Sequence, residues 1–230
     1  TAADETGNGG ADGGQGTTEF TWAGAHIEET ECIDCVYPMP KWEAARRIEE
    51  RTSGDISIDV QGDGAICGEG DCGQKITQSV IPVAENSVAN TTKWFPENDV
   101  WGLSYFYPIE DSTTMAHAGM AKAVWSEAVW EDFWIPFAEK YGVVPFAWSH
   151  SAFRGIMISE YIDERLYTPD DIDGLSIRRT FSYIPNTCLQ EWGANPQNIS
   201  WGDTVQGLES GVVDGSESSI EVAIAFGMTP

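Results

Sequence analysis

The chain has 230 residues, with 12 Lys plus Arg against 37 Asp plus Glu and a formal net charge of -25. That balance excludes nonspecific attraction to nucleic acid or to an anionic lipid surface, and a hydrophobic fraction of 41% with 10 Trp and 9 Phe excludes a disordered chain. The acidic residues run along the whole length and lysine is scarce, which reads as a surface kept hydrated in high salt and points to a halophilic source. An ordinary acidic solubility strategy is the alternative; divalent cation binding is less favoured because no stretch follows the spaced Asp-x-Asp-x-Asp-Gly loop pattern. No run approaches the roughly 18 apolar residues of a membrane span and no signal peptide is evident, so the chain reads as a mature soluble product.

Residues 1 to 17, TAADETGNGGADGGQGT, lack hydrophobic periodicity and read as a flexible tether suited to a surface-anchored exoprotein, or as an ordinary terminus. TEFTWAGAH alternates bulky and small residues as a strand, and KWEAARRIEERTSG follows as a helix with Trp42, Ala45 and Ile48 at helical spacing and Gly54 as its stop. Glu43 precedes Arg47, and Arg46 precedes Glu50, by four residues, so Arg46 and Arg47 serve that helix. DISIDVQ reads as a second strand, and QKITQSVIPVAEN as a short helix running into a third. This βαβαβ order predicts parallel strands with crossover helices, and ligands of such folds bind beyond the carboxyl ends of the strands, here the loops near 26 to 36 and 61 to 72.

Residues 112 to 139 place Met115, Met120, Val124, Val129, Trp134 and Phe137 on a long amphipathic helix with a break near Trp134-Ile135-Pro136. GVVPFAWSH, FRGIMISE and DDIDGLSIRR read as successive strands. CLQEWGANP resembles a helix ending at Gly193, WGDTVQGLESG another ending at Gly211, and VVDGSES a short buried strand.

Five cysteines stand at 32, 35, 67, 72 and 188. The first four suit two disulfides if the chain is extracellular, with Cys32, Cys35, Cys67 and Cys72 as the candidates and the connectivity open; a four-thiolate zinc site is the alternative. CIDC as a redox motif is weaker, since VYPMP rather than a helix follows it, and Cys188 reads as a buried small hydrophobe. Asn-x-Ser/Thr patterns begin at Asn90 and Asn198.

The arginines carry the functional question. In GLSIRRT, strand alternation puts Leu175 and Ile177 on one face and Ser176, Arg178 and Thr180 on the other, so Arg178 points away from the apolar layer. A planar, permanently charged fork suits a carboxylate, which it can bind bidentately, and a structural Arg to Asp pair is the alternative.

KWEAARRIEERTSGDISIDVQGDG, DDIDGLSIR, GANP and WGDTVQGLESGVVDGSE, in this order, resemble the solute-binding proteins of tripartite ATP-independent periplasmic (TRAP) transporters, the DctP-like family that binds dicarboxylates and other organic acids. The likeness spans roughly residues 18 to 222. It implies an α/β fold, a two-domain periplasmic-binding-protein-like clamshell with mixed or parallel sheets flanked by helices. The tether would be 1 to 17, domain I 18 to 147 and domain II 148 to 230, with the C-terminal part of the clamshell missing from a chain that stops at VAIAFGMTP. It further implies an extracellular, surface-tethered protein without catalysis or cofactor, which captures a small organic acid and hands it to TRAP membrane permease subunits.

By the same resemblance, Arg178 forms the salt bridge with the solute carboxylate, Arg154 in SAFRGIMIS is the family's second arginine, and Ser218 stands where the family commonly has Asn. Arg179, where the family usually has an apolar residue, is expected to face solvent or Asp173. His26, Glu28 and Glu29 occupy the loop after the first strand that typically supplies polar contacts, and Trp148 follows the expected crossover strand. An acidic contact there would suit a solute with an amine or hydroxyl besides its carboxylate. Two other classes compete: a cysteine-stabilised (disulfide or zinc) extracellular structural or adhesion module, and a hydrolase using His26, His117 or His150. The hydrolase is the weakest, with neither a Gly-x-Ser-x-Gly elbow nor a His-Glu-x-x-His helix in the chain.

Overall fold

The computed structural model describes residues 17–25, 38–62, 64–103, 113–149, 153–162, 165–220 and 223. The expected tether up to residue 16, the loop bearing His26, Glu28, Glu29, Cys32 and Cys35, and His150 lie outside the described residues, and of Met115 and His117 only the helical backbone is described.

The first sheet is built as the alternation predicts. Strands β1 (Thr18–Gly24), β2 (Ile56–Gln61) and β3 (Val83–Glu85) lie in the order β2-β1-β3, all parallel, with Trp22 opposite Val60 and Val83. Helix α1 (Pro38–Arg51) crosses over between β1 and β2, and α2 (Cys72–Thr77) precedes β3. The pleat sends successive residues of β1 into different cores: Trp22 packs with Ala45 of α1 and Val60, while Ala23 packs with Cys67, Cys72 and Ile81. Helix α1 ends where expected, with Ser53 and Gly54 both at positive φ (52° and 86°) to turn the chain into β2.

A helical layer follows: α3 (Val88–Thr91), a 3₁₀ segment Pro96–Gly102, then α4 (Thr113–Val124), α5 (Glu127–Val129), a π turn Trp130–Trp134 and α6 (Ile135–Tyr141). Its core is aromatic, with Phe95, Trp134 and Phe137 buried around Val124, and Trp101, Phe133 and Trp148 packed against them. The expected long helix is broken twice, and earlier than Pro136. At Trp125 the chain restarts with Ser126 as N-cap, its hydroxyl accepting from Val129 N. The π turn then precedes α6, in which Pro136 lies in the first turn, where its missing N–H costs no helical bond. The strand expected over 142 to 150 is absent: 143–149 is irregular. Pro145 cannot donate to a ladder, and the segment's aromatics are drawn instead to Trp22, met by Phe146, and to Trp101 and Trp134, met by Trp148.

The second sheet has the order β4-β7-β5-β6, from β4 (Arg154–Ile158), β5 (Ser176–Arg179), β6 (Asn195–Asn198) and β7 (Gly215–Ser219). β5 runs parallel to both neighbours, while β4 pairs antiparallel with β7, so the sheet is mixed. β6 was not expected from Asn-Pro-Gln-Asn; as an edge strand it tolerates Pro196. Helix α7 (Tyr183–Glu191) starts before the CLQEWGANP segment because Ser182 caps it, and ends at Gly193, whose φ is +82°. Helix α8 (Trp201–Glu209) ends near Gly211, as its sequence indicates. Asp214 stitches the sheet: its carboxylate accepts from Ser176 N at 2.7 Å and from the Tyr161 hydroxyl at 3.0 Å.

Among the described residues no helix is long and apolar enough to cross a membrane. Asn90 is buried, which closes its sequon to modification, whereas Asn198 is exposed.

Candidate functional site

The parallel strands of both sheets deliver their carboxyl ends to polar loops. In the first sheet, Cys67 and Cys72 form a disulfide, so this pair is joined within itself and offers no thiolates for a zinc site. The loop between them is tied down further. Asp71 accepts from Gly68 N at 2.8 Å, Asn86 donates to the Glu69 carbonyl at 3.1 Å, and Lys75 donates to the Ile66 carbonyl at 2.6 Å. Beside it, buried Lys41 from the start of α1 pairs with Glu85 at the end of β3, 2.9 Å apart.

In the second sheet the register decides which residues share a face. Arg178 is level with Ser216 of β7 and Gln197 of β6, and Ser216 is level with Met157. Ser218, two residues on, therefore faces the same way as Ser216 and Arg178. Arg154, Glu217, Ile156 and Ile177 belong to the other face, where Ile177 joins the core of Ile172, Leu189 and Ala194. Arg178 thus leaves the apolar layer, as the alternation requires, yet it is only 2% exposed. Its Nε donates to the Ile199 carbonyl at 2.9 Å, its guanidinium carbon lies 4.9 Å from the centre of the Trp201 ring, and Nη2 is 3.9 Å from Glu69 Oε2. The same Glu69 oxygen accepts from Trp201 N at 3.0 Å, so a carboxylate from the first sheet's loop reaches the first turn of α8.

A second acidic residue makes a similar reach. Asp99 accepts from the Ser182 hydroxyl and, at 2.9 Å, from Tyr183 N at the start of α7. Both helices that flank β6 therefore have a carboxylate from the first half of the chain at their amino ends.

Arg154 makes a bidentate pair with Glu217, with Nη2 at 2.7 Å from Oε2. The structure thus groups Arg178 with Ser218, and places Arg154 on the opposite face with a carboxylate of its own. Trp148 belongs to the aromatic core, 5.8 Å from Trp101. Arg179 departs from expectation: instead of facing solvent or Asp173 it is half-buried, donates to the Thr180 carbonyl at 2.7 Å, and burial lowers its pKa. Cys188 is a free thiol, half-buried rather than buried.

Lys41, Glu69 and Ser216 were missed by sequence reasoning. Ser216 is fully buried, and its hydroxyl has no partner among the described residues. Alternation with Ser218 in Gly-Ser-Glu-Ser could have marked it, whereas nothing local marks Glu69, which meets Trp201 across 132 residues of sequence. No group of three or more metal-ligating side chains gathers among the described residues.

Comparison with known proteins agrees with this architecture. A TRAP periplasmic solute-binding protein from Haemophilus influenzae with bound L-gulonate superimposes with a TM-score of 0.75 at 18% identity, over 91% of this chain and 63% of that one. Another from Ralstonia eutropha H16, with bound (S)-2-acetolactate, gives 0.72 at 24% identity, over 90% of this chain and 62% of that one. In sequence, a solute-binding protein of Chromohalobacter salexigens is 22% identical over 175 residues, 76% of this chain and 48% of that protein. The chain spans 30% to 50% of the length of the curated relatives it matches over most of its own length. The profile of the bacterial extracellular solute-binding protein family 7, DctP, matches residues 42–229, and the chain belongs to that family.

Proposed function

We propose that this chain is the extracytoplasmic solute-binding subunit of a TRAP transporter, which holds a carboxylate-bearing small molecule between its two sheets and hands it to membrane permease subunits. The observation that carries the reading is Arg178: a guanidinium held almost fully out of solvent at the carboxyl end of β5, turned away from the apolar core and toward the loop of the opposing sheet. A buried guanidinium is a strong and orienting partner for a carboxylate, because desolvation strengthens the charge-assisted bonds and the fork fixes their geometry. Among the solved neighbours, four hold the carboxylates L-gulonate, (S)-2-acetolactate, succinate and L-malate, and one holds the phosphate ester diglycerolphosphate, so the shared chemistry is an anion and most often a carboxylate.

Ser216 and Ser218 on the same face offer hydroxyls for further contacts. Arg154 acts at one remove, holding Glu217 and with it the end of β7. Glu28 is proposed as a contact at the rim, and so is the exposed part of Trp148, whose other side packs against the aromatic core. The lobes are residues 18 to 147 and 148 to 230, closing by hinge motion on the solute. Binding and release involve no bond made or broken, so the subunit is not an enzyme. The Cys67–Cys72 bridge suits an oxidising, extracytoplasmic location, where residues 1 to 17 would tether the protein to the surface.

The test is a thermal-shift screen of organic acids and amino-acid-like osmolytes in molar salt, on the protein with its complete natural chain and on Arg178→Ala. A true solute at a hundredfold excess over its Kd stabilises the wild type by about 2.7 kcal/mol, and the variant does not respond. An equal response from Arg178→Ala would make Arg178 structural, and no response from either protein would return the cysteine-stabilised module as the better reading.

A further inference from the structure

The anion seat at Arg178 already has a carboxylate in it. Glu69 Oε2 lies 3.0 Å from Trp201 N and 3.9 Å from Arg178 Nη2, and the side chains of Glu69 and Arg178 are 9% and 2% exposed. A backbone N–H that donates to this oxygen and a guanidinium within ion-pair reach of it are the groups that a solute's carboxylate would need. Ser216, whose buried hydroxyl has no partner among the described residues, shares the face of Arg178. Glu69 does not arrive by chance of a floppy loop. The Cys67–Cys72 bridge brackets it, Asn86 fixes its carbonyl, and Asp71 fixes the amide of Gly68 before it.

We propose that Glu69 is a built-in competitor for the Arg178 site, an internal carboxylate that the solute's carboxylate must displace, and therefore the residue that sets the affinity of this site. The inference rests on the reading that Arg178 holds the solute. Its physical content is a difference between two states. Before binding, Arg178 is neutralised and the two halves are joined through the start of α8. After binding, the solute supplies the negative charge, and Glu69 gives up Trp201 N and the guanidinium. The observed affinity is the intrinsic one reduced by the cost of that displacement, as for any binding-competent state that is only fractionally populated. If Glu69 instead touched the solute, its removal would weaken binding, so the sign of one measurement separates the two roles.

Glu69→Gln keeps the side-chain length and a carbonyl oxygen for Trp201 N, and removes the charge. The wild type, Glu69→Gln and Arg178→Ala, each on the complete natural chain, are titrated by calorimetry in molar salt with succinate, malate, glucuronate and γ-aminobutyrate. Glu69→Gln is expected to bind at least one of these acids about tenfold more tightly than the wild type does. A second variant guards against a folding defect in the first: Cys67→Ser/Cys72→Ser leaves every charge in place, loosens the loop that presents Glu69, and shifts affinity in the same direction. Unchanged or weaker binding in both variants overturns the competitor. If Arg178→Ala loses binding in that same experiment, the solute-binding reading stands while the role of Glu69 falls. If none of the four acids binds any variant, both are overturned.

Discussion

Charged side chains in this protein divide by what surrounds them. Arg46 and Arg47 reach Glu43 on the exposed face of α1, where water screens the pairs and each contributes little to stability. Their hydrogen bonds nevertheless hold the Glu43 carboxyl at about 2, below its ordinary 4.5, with the Arg46 contribution the larger. A depressed folded-state pKa stabilises the fold above the unfolded value and ceases to do so as pH falls through the folded one. The contribution of Glu43 is therefore complete above about 4.5 and lost on the way down to about 2. Carboxyl-detected NMR titration should place the Glu43 midpoint in that lower range, and a midpoint near 4.5 would show the two arginines to be elsewhere in solution. Arg178 is the opposite case. It is buried beside a buried carboxylate, where pairing offsets a large desolvation cost and loss of either partner is felt by the other.

At the scale of elements, two helical glycines have opposite roles although the sequence treats them alike. Gly73 lies in α2 against Trp94, and a Cβ there would fall 2.4 Å from Cε3 of the indole. Gly119 lies on the exposed side of α4, with nothing within 4 Å of a Cβ. Gly73→Ala should therefore destabilise by about 1–3 kcal/mol through overpacking, and Gly119→Ala should stabilise by about 0.5–1 kcal/mol through helix propensity. Urea denaturation of the two variants checks the contrast; a stabilising Gly73→Ala would mean that Trp94 moves freely and that α2 is less tightly seated than described. The same contrast explains why the elements were more legible than their ends. Period-2 and period-3.6 patterns located β1, α1, β2, β4, β5 and α8, because each buries one face against a neighbour. β6 carried no such pattern, since an edge strand of Asn, Pro and Gln is held by its partner's backbone.

For the whole molecule, the formal charge of -25 is the dominant global term. Self-repulsion at that density is relieved by screening, which should stabilise the fold although it weakens the exposed ion pairs. Raising sodium chloride from about 0.1 M to 2 M is expected to lift the thermal midpoint by about 5 °C, roughly 2 kcal/mol for a chain of this size. Differential scanning fluorimetry measures it directly, and a flat or falling midpoint would remove salt adaptation as the reason for the acidity. Among the described residues, Glu69 to α8 and Asp99 to α7 are hydrogen-bonded links between the two halves, of a kind that hinge opening can break and remake.

The sequence by itself determined the βαβαβ order of the first sheet, the presence of a second α/β half, and the direction of Arg178, because periodicity and strand alternation are local properties of the chain. Its ordered motifs also pointed to the family. Tertiary structure alone decided that Cys67 bonds Cys72, that Arg154 and Arg178 take opposite faces, that Arg179 is half-buried, and that Glu69 meets Arg178. These depend on register and on contacts between residues far apart in sequence. A one-residue slip of β7 would turn Ser216 and Ser218 to the opposite face of the second sheet, and what opposes it is a tertiary contact, the close approach of the Met157 carbonyl that leaves no room for a Cβ at Gly215.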